Sequence, residues 1–180
     1  FKLTEIAMEI NIRQEALVDY PIVFDIIEQA IRDEIISDKK EQFLVERLSK
    51  SDRFIPKLSL VAEANQKIVG YILLTKIIIE TNTESVTSLA LAPVAVLPTF
   101  QKKGIGGRLI EEAHHIAKGL GYTSVILLGH ETYYPKFGYK LLKEFNITLP
   151  FVAPKENCMA IELIPDALKN KEGKVIYPKE

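Results

Sequence analysis

The sequence predicts a single α/β domain, and three observations carry that prediction. The 180 residues are 47% apolar with a net charge of -1, from 23 Lys plus Arg against 24 Asp plus Glu. A chain of this size buries about 70% of its unfolded surface in one core, so neither disulfides nor a structural metal is needed to hold it. Strand-like and helix-like periodicities alternate over residues 1–180, with no repeat, low-complexity tract or linker to divide them.

The first element is a strand, Met8 to Ile12, where apolar and polar residues alternate at period two. Asp19 is placed to cap a helix over Ile22 to Ile31, whose Ile22, Phe24, Ile26, Ile27, Ala30 and Ile31 form a broad apolar stripe. A charged connection, Arg32 to Lys39, leads to a second helix over Lys40 to Ser49 with Phe43, Leu44 and Leu48 inward. Leu58 to Ala64 and Lys67 to Glu80 are rich in Leu, Val and Ile, and Asn65-Gln66 between them marks an antiparallel hairpin. Ser85 to Leu97 is nearly continuously apolar, as in a strand covered on both faces, and Pro93 implies a bulge within it. A long helix follows, Gly104 to Leu120, with Ile105, Leu109, Ile110, Ala113, Ile116, Ala117 and Leu120 on its buried face and Gly121 ending it. Ser124 to Leu128 is a short strand, and Tyr133 to Phe137 a single helical turn before Gly138. Leu141 to Leu149 and Asn157 to Ile164 read as two further strands, and the tail from Pro165 as mostly surface-bound.

Composition excludes several function classes. Near-neutral charge without a long basic block argues against nonspecific nucleic-acid binding, which depends on many phosphate contacts. The longest apolar run, Leu89 to Leu97, is far short of the roughly 20 residues a membrane helix requires. A lone Cys158 and an N-terminal segment without a charged leader and apolar core point to the cytoplasm.

Chemistry concentrates where the third long strand ends. Val94-Ala95-Val96-Leu97-Pro98 runs through Thr99-Phe100 into Gln101-Lys102-Lys103-Gly104-Ile105-Gly106-Gly107-Arg108, a strand feeding a glycine-rich turn that opens a helix. Unpaired backbone N–H groups and the positive helix end converge there, glycines let an anion approach the backbone, and Lys102, Lys103 and Arg108 add charge. A diphosphate is the natural occupant. A P-loop would need Lys then Ser or Thr after its second Gly, where this chain has Gly107 and Arg108. A dinucleotide fingerprint would need a third Gly where Leu109 stands, and would sit after the first strand of the chain. A plain tight turn is the remaining alternative.

Gln101-Lys102-Lys103-Gly104-Ile105-Gly106, preceded by Val96-Leu97-Pro98, resembles the Gln/Arg-x-x-Gly-x-Gly/Ala signature of the GNAT superfamily of N-acetyltransferases. Independently, Tyr134-Pro135-Lys136-Phe137-Gly138-Tyr139 is similar to that family's Tyr-x-x-x-Gly-Phe/Tyr motif, and it follows the next strand as it does in the family. The element order also resembles the GNAT order throughout, and Ala92 to Val96 with Leu127-Leu128-Gly129 looks most like a poorly characterised bacterial branch. The resemblance implies a central mixed, mostly antiparallel, twisted sheet of about six or seven strands flanked by about four helices, splayed between the fourth and fifth strands. It also implies acetyl-CoA as cosubstrate, its pantetheine arm pairing along Val94, Ala95 and Val96. Its diphosphate would rest on the backbone of Gln101, Lys102, Lys103, Gly104, Ile105, Gly106, Gly107 and Arg108, and the N–H near Val96 would polarise the thioester carbonyl.

Acetyl transfer to a primary amine needs a neutral amine and a protonated leaving thiolate. A phenol is protonated at pH 7 and can donate to a thiolate, which makes Tyr134 the expected general acid, with Tyr133 as fallback. Many family members draw a base from an acidic residue on the central strand, but Ser88-Leu89-Ala90-Leu91-Ala92 has no carboxylate. His130 or Glu131, at the end of the next strand, are the candidate bases, and solvent alone is the alternative. His114 and His115 point apart and Glu111 with His115 is an ordinary surface pair, so no metal is expected. Cys158 reads as a buried structural thiol. The mixed charges of Arg32 to Arg53 read as solvated helix faces. The acceptor is a small-molecule or protein amine, with a homodimer common in such a family. The competing functional readings are a non-catalytic acyl-CoA-binding sensor of the same fold and, third, an NAD-binding oxidoreductase.

Overall fold

The sheet grows from the N-terminal half of the chain, where antiparallel neighbours follow one another in sequence. In the computed structural model, which describes residues 8–34 and 37–180, β1 (Ile10–Gln14) pairs with β2 (Phe54–Ala64), and β2 with β3 (Lys67–Thr81). β3 pairs in turn with β4 (Ser85–Val96). Residues 1–7 and two residues of the charged connection, 35 and 36, lie outside the described part. The hairpin at Asn65-Gln66 is as expected, and both residues take positive φ, 50° and 68°, the twist that two-residue β-turns require.

Two helices follow β1 on one face, α1 (Tyr20–Ile31) and α2 (Glu41–Leu48). Asp19 stands at the α1 N-cap position without capping the helix by a side-chain bond; its carboxylate accepts from Arg13 and from the Ala16 N–H instead. Phe43, expected inward, is 46% exposed and meets the edge of Phe24, while Val45 and Gln42 take the buried positions of α2. The third helix, α3 (Ile105–Gly119), covers the other face and buries Ile105, Leu109, Ile110, Ala113 and Ala117. Leu120 is 39% exposed, because it falls just past the last helical turn. Gly70 lets α3 approach the sheet: a Cβ there would stand 3.1 Å from Leu109 and 3.4 Å from Ile105. By strand alternation Tyr71 then faces α1 and α2.

β4 and β5 (Ser124–Leu128) run parallel but pair only through Leu89 with Val125 and Ala90 with Ile126. The buried Ser88 and Ser124 hydroxyls, 2.7 Å apart, tie the two strands together just before this point. Beyond Ala90 the strands part, as a splay between the fourth and fifth strands requires. β4 also bulges: between Ile72 opposite Val94 and Leu74 opposite Leu91, the single residue Leu73 faces both Ala92 and Pro93.

The C-terminal third departs from the sequence expectation. Leu141 to Leu149 is not one strand but β6 (Lys140–Leu141), a 3-10 turn and β7 (Ile147–Thr148), broken where Asn146 takes a φ of 54°. β8 (Cys158–Glu162) pairs with β5 and β6. The tail is mostly on the surface, as expected, but it is anchored: Leu168 is buried, and β9 (Gly173–Ile176) pairs with β3 and β7 and buries Val175 completely. Among the described residues the sheet therefore has nine strands rather than six or seven, seven of them along the path β1-β2-β3-β4-β5-β8-β6. Among the described residues three α-helices flank it, where about four were expected.

Candidate active site

The open end of β4 is the structural centre of the site. Leu97 N–H donates to the Val69 carbonyl at 2.8 Å, which sets the phase of the antiparallel ladder. Alternation then turns the backbone groups of Ala95 toward β3 and those of Val94 and Val96 the other way, where β5 has diverged. The Val96 carbonyl is taken up by the Gln101 side-chain amide at 3.1 Å, so Gln101 braces the turn from strand to helix.

That turn delivers a helix end that lacks a cap. Lys102 and Gly104 both adopt left-handed φ, 62° and 80°, and Gly104 stands at the N-cap of α3, which no side chain caps. The first hydrogen bond of the helix is Arg108 N–H to Gly104 C=O, at 3.1 Å. The amides of Ile105, Gly106 and Gly107 therefore have no intrahelical acceptor. A Cβ on Gly104 would meet nothing within 4 Å, so space for an anion lies directly over it. These features fit a diphosphate on chemical grounds: alternating backbone handedness turns successive N–H groups to one concave side, and the helix dipole adds positive potential. Lys102 and Lys103 are exposed beside the turn. Arg108 is turned away, its guanidinium donating to the Ile10 carbonyl of β1 at 3.3 Å.

The aromatic motif closes the other side. Tyr134 opens a 3-10 turn, Tyr134–Phe137, that ends at Gly138 with a φ of 101°. The Tyr134 ring is 8% exposed, packs edge-on against Tyr133 and Tyr139, and lies so close to Gly129 that a Cβ there would overlap it. Burial first, then Tyr133 and Glu34, hold its hydroxyl well above the ordinary phenol range, so it stays protonated. Tyr133, read from sequence as the fallback, reaches instead to the anion turn: its hydroxyl lies 3.1 Å from where a Cβ of Gly106 would stand, and Lys136 sits 4.1 Å over its ring.

The two candidate bases differ. His130 Nε2 is 3.2 Å from Glu34 Oε2, a link between the end of β5 and the end of α1, with both side chains about half exposed. Glu131 is an exposed turn residue. Ser88, in the stretch without a carboxylate, is fully buried and committed to Ser124. His114 is bonded to the Tyr139 hydroxyl at 2.7 Å, and burial lowers its pKa to about 4, so it is a neutral packing residue behind Tyr134. Cys158 is buried, donates to the Pro154 carbonyl and has its pKa raised chiefly by burial, as a structural thiol should. Among the described residues no three His, Cys, Asp or Glu side chains cluster as metal ligands, and no helix is long and apolar enough to cross a membrane.

One polar group of the fold has no motif in the sequence to announce it. Glu15, just after β1, accepts from Ser59 Oγ at 2.8 Å, and Ser59 Oγ lies 2.7 Å from the fully buried Tyr71 hydroxyl. Burial raises the Glu15 pKa to about 7. The available signal was Ser59 itself, a polar residue inside the apolar run Leu58 to Ala64, which had to find a partner.

Residues 56–141 match the model of the acetyltransferase (GNAT) domain. The uncharacterized N-acetyltransferase YjhQ of Escherichia coli is 36% identical over 119 residues, 66% of this chain and 66% of that protein. The E. coli uncharacterized N-acetyltransferase YhbS is 26% identical over 161 residues, 89% of this chain and 93% of that one. Among solved structures, a GNAT family acetyltransferase from Brucella melitensis in complex with acetyl-CoA superposes with a TM-score of 0.76 at 30% identity, over 94% of this chain and 96% of that one. YhbS from E. coli in complex with CoA gives 0.82 at 25% identity, over 97% and 92%.

Proposed function

The chain belongs to the GNAT family of acetyltransferases, and from that premise we propose that it moves an acetyl group from acetyl-CoA to a primary amine by direct attack in a ternary complex. The observation that carries the proposal is the edge of β4, left open past Ala90 and leading straight into the capless start of α3. Val94 and Val96 would pair with the amide groups of the pantetheine arm. The amides of residues 102 to 107 would hold the diphosphate, with Lys102 and Lys103 supplying charge and Gln101 keeping the turn closed. The Val96 N–H would donate to the carbonyl oxygen as negative charge develops on it.

Tyr134 would donate to the departing sulfur. The burial that raises its pKa also raises the proton affinity of a thiolate beside it, because both anions lose solvation. The donor and acceptor are thereby kept matched. For the amine proton, His130 is favoured over Glu131, since Glu34 orients its imidazole. The acceptor is taken to be a small or protein amine in the cytoplasm, and no step needs a metal.

Thiol release from acetyl-CoA with a panel of primary amines tests the proposal. Tyr134→Phe is expected to lower kcat about 100-fold while leaving acetyl-CoA affinity within about twofold. Tight acetyl-CoA binding without turnover on any amine would replace this reading with that of an acyl-CoA sensor.

A further inference from the structure

The hydroxyl of Tyr133 is a polar group that the transfer reaction leaves unused at the edge of its own cofactor turn. The Tyr71 and Tyr139 hydroxyls are bonded within the protein, to Ser59 and His114, but that of Tyr133 has no hydrogen-bond partner among the described residues. Its ring is held all the same. It meets the rings of Tyr134 and Phe137 edge-on, with centroids 5.0 and 5.2 Å apart, and the Lys136 ammonium lies 4.1 Å over its face. Two glycines let this pair of rings sit on the first turn of α3. A Cβ on Gly107 would stand 3.2 Å from the Phe137 ring, and one on Gly106 3.1 Å from the Tyr133 hydroxyl.

The hydroxyl therefore lies where the open end of β4 meets the capless start of α3. The same Gly106 Cβ position is 3.8 Å from the Val96 side chain, and Gly106 is one of the three residues whose amides find no intrahelical acceptor. An amide nitrogen is about 2.5 Å from the Cβ of its own residue, so the hydroxyl and the Gly106 nitrogen are at most about 5.6 Å apart. One phosphoryl oxygen about 2.8 Å from each donor spans that separation. Burial raises the pKa of the phenol, so it keeps the proton it would donate. The ammonium over the ring draws electron density from it and strengthens the donor. Tyr134 serves the other wall of the cleft, its ring pressed against Gly129 at the end of β5.

We propose that Tyr133 binds the cofactor, its hydroxyl donating to an oxygen of the CoA diphosphate beside the Gly106 amide, a role that rests on acetyl-CoA occupying this turn as proposed above. The two adjacent tyrosines then divide the work: Tyr133 holds the diphosphate and Tyr134 protonates the sulfur.

Tyr133→Phe in the full chain keeps the ring and its neighbours and removes the oxygen alone. By calorimetry the variant is expected to bind CoA and dephospho-CoA, which lacks the 3′-phosphate, each about tenfold more weakly than the unaltered chain. KM for acetyl-CoA should rise by a similar factor with little change in kcat, the reverse of the pattern expected for Tyr134→Phe. In phosphorus NMR at saturating CoA, the diphosphate resonances should shift between the two proteins and the 3′-phosphate resonance should not. The melt of the unliganded variant should stay in place, which shows that it is folded. The proposal is overturned by CoA affinity unchanged within about twofold, or by diphosphate resonances that do not move. It is equally overturned by a weakening confined to CoA, which would put the hydroxyl on the 3′-phosphate, or by a fall in kcat at unchanged affinity, which would make Tyr133 the general acid. Calorimetry and NMR need no amine, so they decide the role of Tyr133 whether or not acetyl is transferred. CoA failing to bind the unaltered chain would instead remove the reading beneath it.

Discussion

Gly104 and Glu15 are the residues whose environments lead to the sharpest single-site expectations. Gly104 combines a φ of 80° with open space above it. Gly104→Glu therefore has two costs: about 1–2 kcal/mol of stability for a side chain in the left-handed region, and a carboxylate placed in the anion site. CoA affinity should fall below detection by calorimetry while the protein remains folded; unchanged affinity would remove the diphosphate from this turn. Glu15 gives a pH dependence. Its carboxyl ionises near 4.5 when unfolded and near 7 when folded, raised mainly by burial and further by the charge of Asp19. Between those values the folded chain holds a proton that the unfolded chain has released. Stability is therefore lost as pH rises through this window, and the penalty stays constant above it. Glu15 is partly solvated, so the penalty is discounted to about 1 kcal/mol, or about 2–4 °C in Tm for a domain of this size. Glu15→Gln should raise Tm by that amount at pH 8 and leave it unchanged at pH 4. An equal shift at both pH values would show that ionisation is not the cause. The effect on the anion turn was legible in the sequence, where Gly104 opens a helix after a strand; the φ of 80° at Gly104 and the burial of Glu15 were not, because both depend on what packs around them.

At the scale of elements, the strand ends matter more than the strand centres. β4 is wide open at Val94 and Val96 because β5 pairs with only Leu89 and Ala90, and the Pro93 bulge turns the strand at the same place. Pro93 announced an irregularity in the sequence, since it cannot donate to a ladder. The C-terminal element was hidden for the opposite reason. Lys174, Val175 and Ile176 are too short a run to read as a strand alone, and β9 exists because β3 extends past β2 and offers it an edge. The residues after β9 hold the tail against α2 and β3 as well. Arg53, 7% exposed, donates to the Lys76 carbonyl and Thr75 Oγ1 and lies 5.5 Å over the Tyr177 ring, while Arg47 pairs with Glu180 at 2.8 Å. Deleting residues 171–180 should uncover Ile79 and remove the Tyr177 ring from Arg53, lowering Tm by about 3–12 °C, since burying one such apolar side chain contributes about 1.5–3 kcal/mol. A melt unchanged within about 2 °C by differential scanning calorimetry would show the tail to be accessory.

For the whole molecule, the expected behaviour is ligand-linked stability. Acetyl-CoA at about 100 times its Kd should add about 2.7 kcal/mol to unfolding, and NADH at the same concentration none. Stabilisation by NADH alone would revive the dinucleotide reading and defeat the present one. The family, the order of elements as far as β5, the glycine-rich turn that opens α3 and the aromatic motif could all be read from the chain. Each is a local matter: backbone freedom at glycines, apolar spacing along one element, and residue types at fixed intervals. What the tertiary structure alone decided are the relations between segments far apart in the chain. It set the point, just past Ala90, at which the expected splay of β4 from β5 begins, the turning of Arg108 toward β1 and the pairing of His130 with Glu34. It likewise assembled the Tyr71, Ser59 and Glu15 network and docked the tail on β3. No interval in the sequence encodes such contacts, because each arises from burial shared between surfaces that meet only when the sheet and its helices have closed on one another.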